Sequence, residues 1–517
     1  MPREVRYCRP KSQPAETVLS FFARKFTYLS RDAWKHHLSE GHVFINGAIL
    51  TEEDYVLQQG DQLRFAPPRS LEPRVDEENI RVLFEDASLL VCAKNGNLPV
   101  AEGGRYCENT LIGVLQRRGS GAFHTADTVV GGAVAGCEAN KVTCEKMHAY
   151  VAADAALTLK AASSSELPDT HLKRTSPSVS PSAKRSREPT PPHAVAALPT
   201  QEHRAVPPAA PPTLLTVQRL DKETSGVLVL CRNCRAAKAM ASQFESQTRK
   251  CSAAVEARVT TSRAAFTNED FDRIVRQSEK SVGKTYMAVL LGAAPIGATF
   301  VVVNYMGTVE SHPAYQHDTA HSQLKRLKMC CEPLFSPLAD SEGPKEDSLQ
   351  PTQWGKVACT RVRVLTSSEL LGLSCVQVEL LTGRSHQIRV HCASLGYPIF
   401  GDKLYTSVSR GKPDGCVAAP DAVYLARVRN EDDPFLLVEN GAAFGRRVWC
   451  RRHLLHATEL QFVHPEKHPA SAMRFVASPG DFFTRDVRWE SPADSNSFQV
   501  LLSEAFEQYS TANRVSV

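Results

Sequence analysis

Val217-Gln-Arg-Leu-Asp221-Lys-Glu-Thr-Ser-Gly226-Val-Leu-Val-Leu230 reads as a short apolar lead, a polar turn centred on an aspartate, and a β-rich apolar run leaving it. Such an order holds a carboxylate on a loop between buried elements, where a nucleophile or general base is kept rigid. A loop aspartate beside an arginine is more often a turn former in a salt bridge, so Asp221 alone decides nothing. Downstream, Leu380-Leu-Thr-Gly383-Arg384-Ser385-His386-Gln387-Ile388-Arg389-Val390-His391 sets two arginines, two histidines and a glutamine within eight residues after an apolar strand. A structural face does not need that density of long polar donors, whereas contacts to phosphates and bases do.

Between these stretches, Thr285–Val309 runs 25 residues without a formal charge, long enough to span a bilayer. Gly292-Ala-Ala-Pro295-Ile-Gly297 interrupts it, so residues 286–291 and 299–303 are expected to be two strands joined by a turn. Toward the N-terminus, Val18, Phe21, Phe22 and Phe26 have helical spacing, and Ser30 is placed to cap a second helix. His42-Val-Phe-Ile-Asn46-Gly47-Ala-Ile-Leu then predicts a hairpin, because a type I′ turn needs positive φ at both central positions. Two short helices and a small sheet make a compact module over roughly residues 14–66, with Arg24, Lys25, Arg31 and Lys35 on its helical part.

Composition bounds the rest. The 517 residues are 42% hydrophobic and 23% charged, and Lys plus Arg (61) exceed Asp plus Glu (56) by five. The chain is therefore no polycation, and affinity for nucleic acid must come from local clusters. Fifteen cysteines and no recognisable secretory signal suggest reduced thiols in an intracellular compartment. Ser163–Thr213 holds 11 of the 32 prolines and no aromatic residue, so it is expected to be disordered. Residues 118–162 read as a weakly structured lead-in to it. Thr248–Val282 and Glu310–Gln353 lack strong apolar patterning and read as insertions.

Taken in order, Gln218 to Leu230, Lys284-Thr-Tyr286-Met-Ala-Val-Leu-Leu-Gly292, Thr382 to His391, and Gly396-Tyr-Pro-Ile-Phe-Gly-Asp402-Lys-Leu-Tyr405 resemble the RluA-type pseudouridine synthases. Leu455-His456-Ala457 and Phe462-Val-His464-Pro465 resemble that family's closing strand. The first segment is similar to a small RNA-binding module shared with a ribosomal small-subunit protein. Arg6-Tyr-Cys-Arg-Pro10 and Pro99 to Leu111 are similar to the eukaryotic subgroup acting on tRNA anticodon loops. The match covers residues 3–115, 214–247, 283–309, 355–405 and 450–466, a little under half of the chain.

The resemblance implies an α+β fold: a mixed, largely antiparallel sheet with flanking helices and an RNA cleft along one face. The module occupies 1–75 and the catalytic domain 76–117 and 214–470. An insert covers 118–213, smaller insertions cover 248–282 and 310–353, and a C-terminal extension covers 471–517. The implied activity isomerises a uridine in RNA, expected to be tRNA, with no metal, no small-molecule cofactor and no membrane, by a monomer. Asp221 is the implied nucleophile or base, Tyr286 the active-site tyrosine and Arg389 the arginine paired with the aspartate. Arg219 is implied to fill the gap left by a flipped nucleotide. Arg384 and Gln387 are weaker candidates for RNA contact, with Arg31 and Lys35 on the module. One departure stands out, since the family usually has histidine where this chain has Gln218.

The competing reading is an RNA-binding or RNA-remodelling protein that uses the same cleft without isomerising its ligand. Gln218 and the large inserts favour it slightly, and the intact Asp221, Tyr286 and Arg389 disfavour it. A fused zinc deaminase is excluded, because no cysteine follows Cys450 to complete its motif. Cys231-Arg-Asn-Cys234 is a single pair and reads as incidental thiols. Lys173-Arg174 and Lys184-Arg-Ser-Arg187 resemble a bipartite nuclear signal, and four basic residues in the first twelve resemble a mitochondrial presequence. Cytoplasm or nucleus is the expected location, with the mitochondrion as the alternative.

Overall fold

The structure is a computed structural model that describes residues 3–9, 14–130, 213–278, 281–311, 328–337, 349–351, 354–405, 436–439, 447–467 and 471–514. The Pro-rich stretch from 163 to 212 and both basic clusters within it lie outside the described residues. No described helix is long and apolar enough to cross a membrane.

The N-terminal module forms as its sequence dictates. Thr17 caps α1 (Val18–Lys25) and Ser30 caps α2 (Arg31–Ser39), each side chain accepting a backbone N–H three residues on. Strands β1 (Arg3–Arg6), β2 (Val43–Ile45), β3 (Ala48–Ile49) and β4 (Gln62–Phe65) make a sheet in the order β1-β4-β2-β3. Asn46 and Gly47 take φ of 49° and 87° and close the predicted two-residue hairpin. Trp34 is fully buried among Phe22, Phe65 and Leu38. The Glu72 carboxylate accepts backbone N–H bonds from Cys107, Glu108 and Asn109 at 2.8–3.0 Å, which ties the module's exit to the loop beyond.

A mixed sheet of twelve described strands carries the rest. It contains β5 (Arg81–Glu85), β6 (Leu89–Lys94), β7 (His124–Val130), β8 (Leu215–Thr216), β9 (Ser225–Cys231), β10 (Gly283–Leu291), β11 (Thr299–Thr308) and β12 (Met329–Pro333). It is completed by β13 (Lys356–Ser368), β14 (Leu373–Leu380), β15 (Leu455–Val463) and β16 (Ala472–Val476). The main order is β12-β11-β13-β14-β10-β15-β9-β6-β5-β7, with β8 on β9 and β16 on β15. Only β5/β7 and β9/β15 pair in parallel, so the sheet is largely antiparallel, as expected. The uncharged stretch near residue 295 forms β10 and β11, as its Gly/Pro interruption predicts.

The β9/β15 junction is tight. Gly226 has φ of 110°, and a Cβ there would lie 2.3 Å from the Ala457 carbonyl oxygen, so only glycine lets the two strands meet.

Helices cover both faces. They are α3 (Leu111–Arg118), α4 (Cys234–Thr261), α5 (Asn268–Gln277), α6 (Gln387–Ser394), α7 (Gly480–Thr484) and α8 (Pro492–Arg514). Residues 248–282, read as weakly patterned, are mostly helix. Gln247, Cys251, Val255 and Val259 recur every four residues along α4, and the last three pack with Phe271 and Ile274 of α5 on Val357 and Cys359. That stripe is narrow and free of aromatics, so it does not stand out from the linear sequence. Residues 124–130, read as part of a weakly structured lead-in, form edge strand β7. The C-terminal segment belongs to the core. Along β10, Met287 and Val289 face Phe498, Leu501, Leu502, Phe506 and Tyr509 of α8, while Tyr286, Ala288 and Leu290 face Ile388 and Cys392 of α6. The period of two thus places Tyr286 on the α6 side.

Candidate active site

On that side lies an open cleft of about 590 Å³, bordered by the Asp221 loop, β10, α4 and the turn leading into α6. Asp221, Tyr286, Arg389, Arg219 and Arg384 all line it. Arg31 and Lys35 lie elsewhere, exposed on α2, with Lys35 paired to Glu53 at 3.0 Å.

Asp221 sits between β8 and β9 on a loop braced from beneath. Lys94, fully buried at the end of β6, donates to the carbonyls of Asn95, Lys222 and Thr224. Arg452, 1% exposed, donates to the Glu223 carbonyl at 3.0 Å and to the Phe482 carbonyl at 2.7 Å, joining the loop to the C-terminal segment. Lys403 pairs with Glu223 at 3.0 Å. The loop is therefore fixed while the Asp221 side chain remains 38% exposed to the cleft.

Two groups flank the Asp221 carboxylate. Arg389 Nη1 stands 3.3 Å from Oδ2, and His386 Nε2 stands 3.8 Å from the same oxygen. Burial raises the carboxyl's pKa, but the His386 imidazole, charged only in the acid range where the carboxyl titrates, and the Arg389 guanidinium more than reverse this and hold it below the usual carboxylate range. Arg389 is itself oriented by Asp402, which accepts from Nε at 2.6 Å and Nη2 at 2.9 Å in a bidentate pair. Tyr286 points into the same cleft. Burial, with Asp221 nearby, pushes its phenol well above the ordinary value, so the hydroxyl keeps its proton.

Other positions differ from expectation. Gln387, expected to contact RNA, is 2% exposed and engaged by the protein. Its amide nitrogen donates to the Cys359 carbonyl and the Thr360 hydroxyl, and its oxygen accepts from Thr382 and the Arg384 backbone. It braces the turn instead. Arg384 reaches the Val357 carbonyl at 3.0 Å and the Ser252 hydroxyl at 3.1 Å, pinning α4 to the turn. Gln218 also borders the cleft, and its Oε1 is buried with no donor among the described residues. Lys284, two residues before Tyr286 on β10, borders the cleft with its ammonium 4.4 Å over the Phe244 ring. His386, Asp402, Tyr405, Lys94 and Lys284 had been given no role. All but Lys94 fall inside the recognisable motifs, but only the fold shows what they touch.

A sequence model described as RNA pseudouridylate synthase matches residues 264–394. An uncharacterized RNA pseudouridine synthase, YhcT, of Bacillus subtilis is 52% identical over 56 residues, covering 11% of this chain and 18% of its own. Ribosomal large subunit pseudouridine synthase D of Xylella fastidiosa is 27% identical over 275 residues, 53% of this chain and 54% of its own. The dual-specificity RNA pseudouridine synthase RluA of Vibrio cholerae is 33% identical over 129 residues, 25% of this chain and 36% of its own. The chain thus spans about half or less of the length of these curated relatives. Several relatives of one kind, all RNA pseudouridine synthases, match parts of this chain, and the model's residues 264–394 include Tyr286, Arg384, His386 and Arg389 of the cleft; the chain is similar to the RluA-type RNA pseudouridine synthases.

Proposed function

We propose that this protein isomerises a uridine within RNA to pseudouridine, and that its substrate is a tRNA. The observation that carries the reading is the Asp221 carboxylate, ionised beside Arg389 and sharing one cleft with Tyr286. The reaction breaks the bond from uracil N1 to the ribose anomeric carbon and forms one from C5 to that carbon, with the C5 hydrogen leaving as a proton. Asp221 acts on the ribose, either as nucleophile at the anomeric carbon or as base at C2′. The Tyr286 ring stacks on the base, and its hydroxyl relays the C5 proton, taking it up as it passes its own hydrogen on to water. No electrons enter or leave, so the isomerisation itself requires no redox cofactor.

A uridine reaches such a cleft only when flipped from its stack, which costs a few kcal/mol. Arg219, exposed at the border of the cleft, is placed to stack into the vacated gap. The tRNA assignment is supported by the resemblance of Arg6–Pro10 and Pro99–Leu111 to the tRNA subgroup. One chain supplies every group named at the cleft, which supports action as a monomer. The basic clusters at 173–174 and 184–187 support a nuclear or cytoplasmic location.

The test is tritium release from RNA labelled at uridine C5, comparing wild type with Asp221→Ala on tRNA transcripts and on total RNA from cells lacking the enzyme. Release that disappears in the variant is the expected result. Binding without release by the wild type would replace this reading with an RNA-binding role.

A further inference from the structure

His386 occupies the N-cap of α6, where a side chain usually folds back to accept a helix N–H. It makes no such bond, and its backbone takes the left-handed conformation, φ 55° and ψ 15°. Histidine is tolerated there but not favoured, and the conformation aims the ring across the cleft wall instead of along the helix. One edge of the ring meets Tyr405 and the other meets Asp221: Nδ1 lies 2.9 Å from the Tyr405 hydroxyl, and Nε2 lies 3.8 Å from Asp221 Oδ2.

Tyr405 settles which nitrogen carries the hydrogen. Its side chain is fully buried, and its hydroxyl oxygen already accepts the backbone N–H of Met329 at 2.9 Å. The described residues offer the hydroxyl hydrogen one acceptor, His386 Nδ1. A neutral ring that accepts at Nδ1 carries its hydrogen on Nε2, the edge turned to Asp221. Burial, with Arg389 close by, pulls the imidazole pKa down to about 4, so the ring is neutral at physiological pH. The loop carrying Gly401 to Tyr405 therefore supplies two struts to one carboxylate. Asp402 orients Arg389, and three residues later Tyr405 orients His386.

We infer that His386 is a positioning residue, a neutral N–H donor that orients the Asp221 carboxylate toward the ribose, with its tautomer set by Tyr405. This rests on the reading of the protein as a pseudouridine synthase. The present 3.8 Å separation is long for a hydrogen bond, and contacts of this kind tighten once substrate displaces water from the cleft. With Arg389 and His386 both on Oδ2, Oδ1 is left for the chemistry. A neutral donor also orients the carboxylate without adding a second full positive charge, which would weaken it as a base or nucleophile.

The test combines single-turnover tritium release, using the full chain in excess over C5-labelled total RNA from cells lacking the enzyme, with affinity for that RNA by filter binding. His386→Ala is expected to slow release by roughly tenfold to a hundredfold, the scale of a displaced catalytic group, with RNA affinity within about twofold of wild type. His386→Gln, which presents an amide N–H at similar reach, recovers most of the rate, and Tyr405→Phe gives a smaller loss in rate alone. Nitrogen-15 imidazole spectra, with the His386 signal assigned by its absence in His386→Gln, should show Nε2 protonated in wild type and a mixture in Tyr405→Phe. A His386→Ala rate within twofold of wild type, a loss appearing only in affinity, or Nδ1 protonation in wild type overturns the inference. The spectra need no activity. A wild type that releases no tritium therefore removes the functional reading, while the tautomer still decides the role of Tyr405.

Discussion

Arg389 turns a single nitrogen to Asp221: Nη1 lies 3.3 Å from Oδ2, while Nε and Nη2 are held by Asp402 at 2.6 and 2.9 Å. The arginine is shared unequally, bound tightly to a structural carboxylate and presented lightly to the one in the cleft. Asp402 also accepts the backbone N–H groups of Leu404 and Tyr405, which locks its own orientation.

Breaking the tighter half should therefore cost stability before it alters chemistry. Asp402→Asn leaves a buried guanidinium without its main counter-charge, a loss of about 3–5 kcal/mol in urea unfolding. Burial raises the Asp402 pKa, but Arg389 outweighs it and the folded-state value lies below the ordinary one. The sign follows: the contribution is complete above the unfolded value, about pH 4, and is lost as pH falls through the lower folded value. The acid limb of wild-type stability should be steep there and shallower in the variant.

Lys284 has no carboxylate within ion-pair distance among the described residues, and burial pulls its pKa down to about 8. Its charge is present below that pH and lost above it. RNA affinity of the wild type should fall between about pH 7 and 9, and Lys284→Met should flatten that fall. In a salt titration the same variant should reduce the slope of log affinity against log salt by about 0.7–1, the share of one phosphate contact.

Lys94→Met would leave the carbonyls of Asn95 and Thr224 without their donor and that of Lys222 with the Leu98 N–H alone, at 3.1 Å. At 1–3 kcal/mol for each buried unsatisfied group, a loss on the order of 3 kcal/mol is expected in thermal or urea unfolding. Tritium release should fall further than folding alone explains, because two of the three carbonyls belong to the Asp221 loop.

Phe498→Ala should cost about 3–5 kcal/mol by opening a cavity between α8 and β10. Release per folded molecule should change little, since Phe498 packs on the opposite face of the sheet from Tyr286. Unfolding curves and rates normalised to folded protein measure the two effects separately.

Local signals were readable wherever chemistry acts between near neighbours. The Ser30 cap, the Asn46-Gly47 turn, the break at Gly292–Gly297 and the Asp221 loop all follow from steric rules spanning a few residues. What stayed hidden depends on distance in the chain. His386 and Arg389 meet Asp221 across more than 160 positions, and no periodicity reports such a contact. Gln387 shows the converse: its place in a polar cluster suggested RNA, but a neighbouring strand engages its amide first. The second half of α4 escaped notice because one cysteine and two valines at intervals of four make a faint stripe.

That helix carries a further consequence. Twenty-eight residues at 1.5 Å each make a rod of about 42 Å, seated against β9 by Ala236 and Met240 and clamped farther along by Arg384 on Ser252 and by Arg258 on Asp270. Between those anchorages, Phe244, Gln247, Thr248 and Cys251 border the cleft. A rod held at both ends cannot yield to its guest, so this border behaves as a caliper with a preset gap. Admission to Asp221 on this side becomes a matter of clearance, and changing which strands pass would require recutting one face of a helix, leaving the catalytic loop untouched.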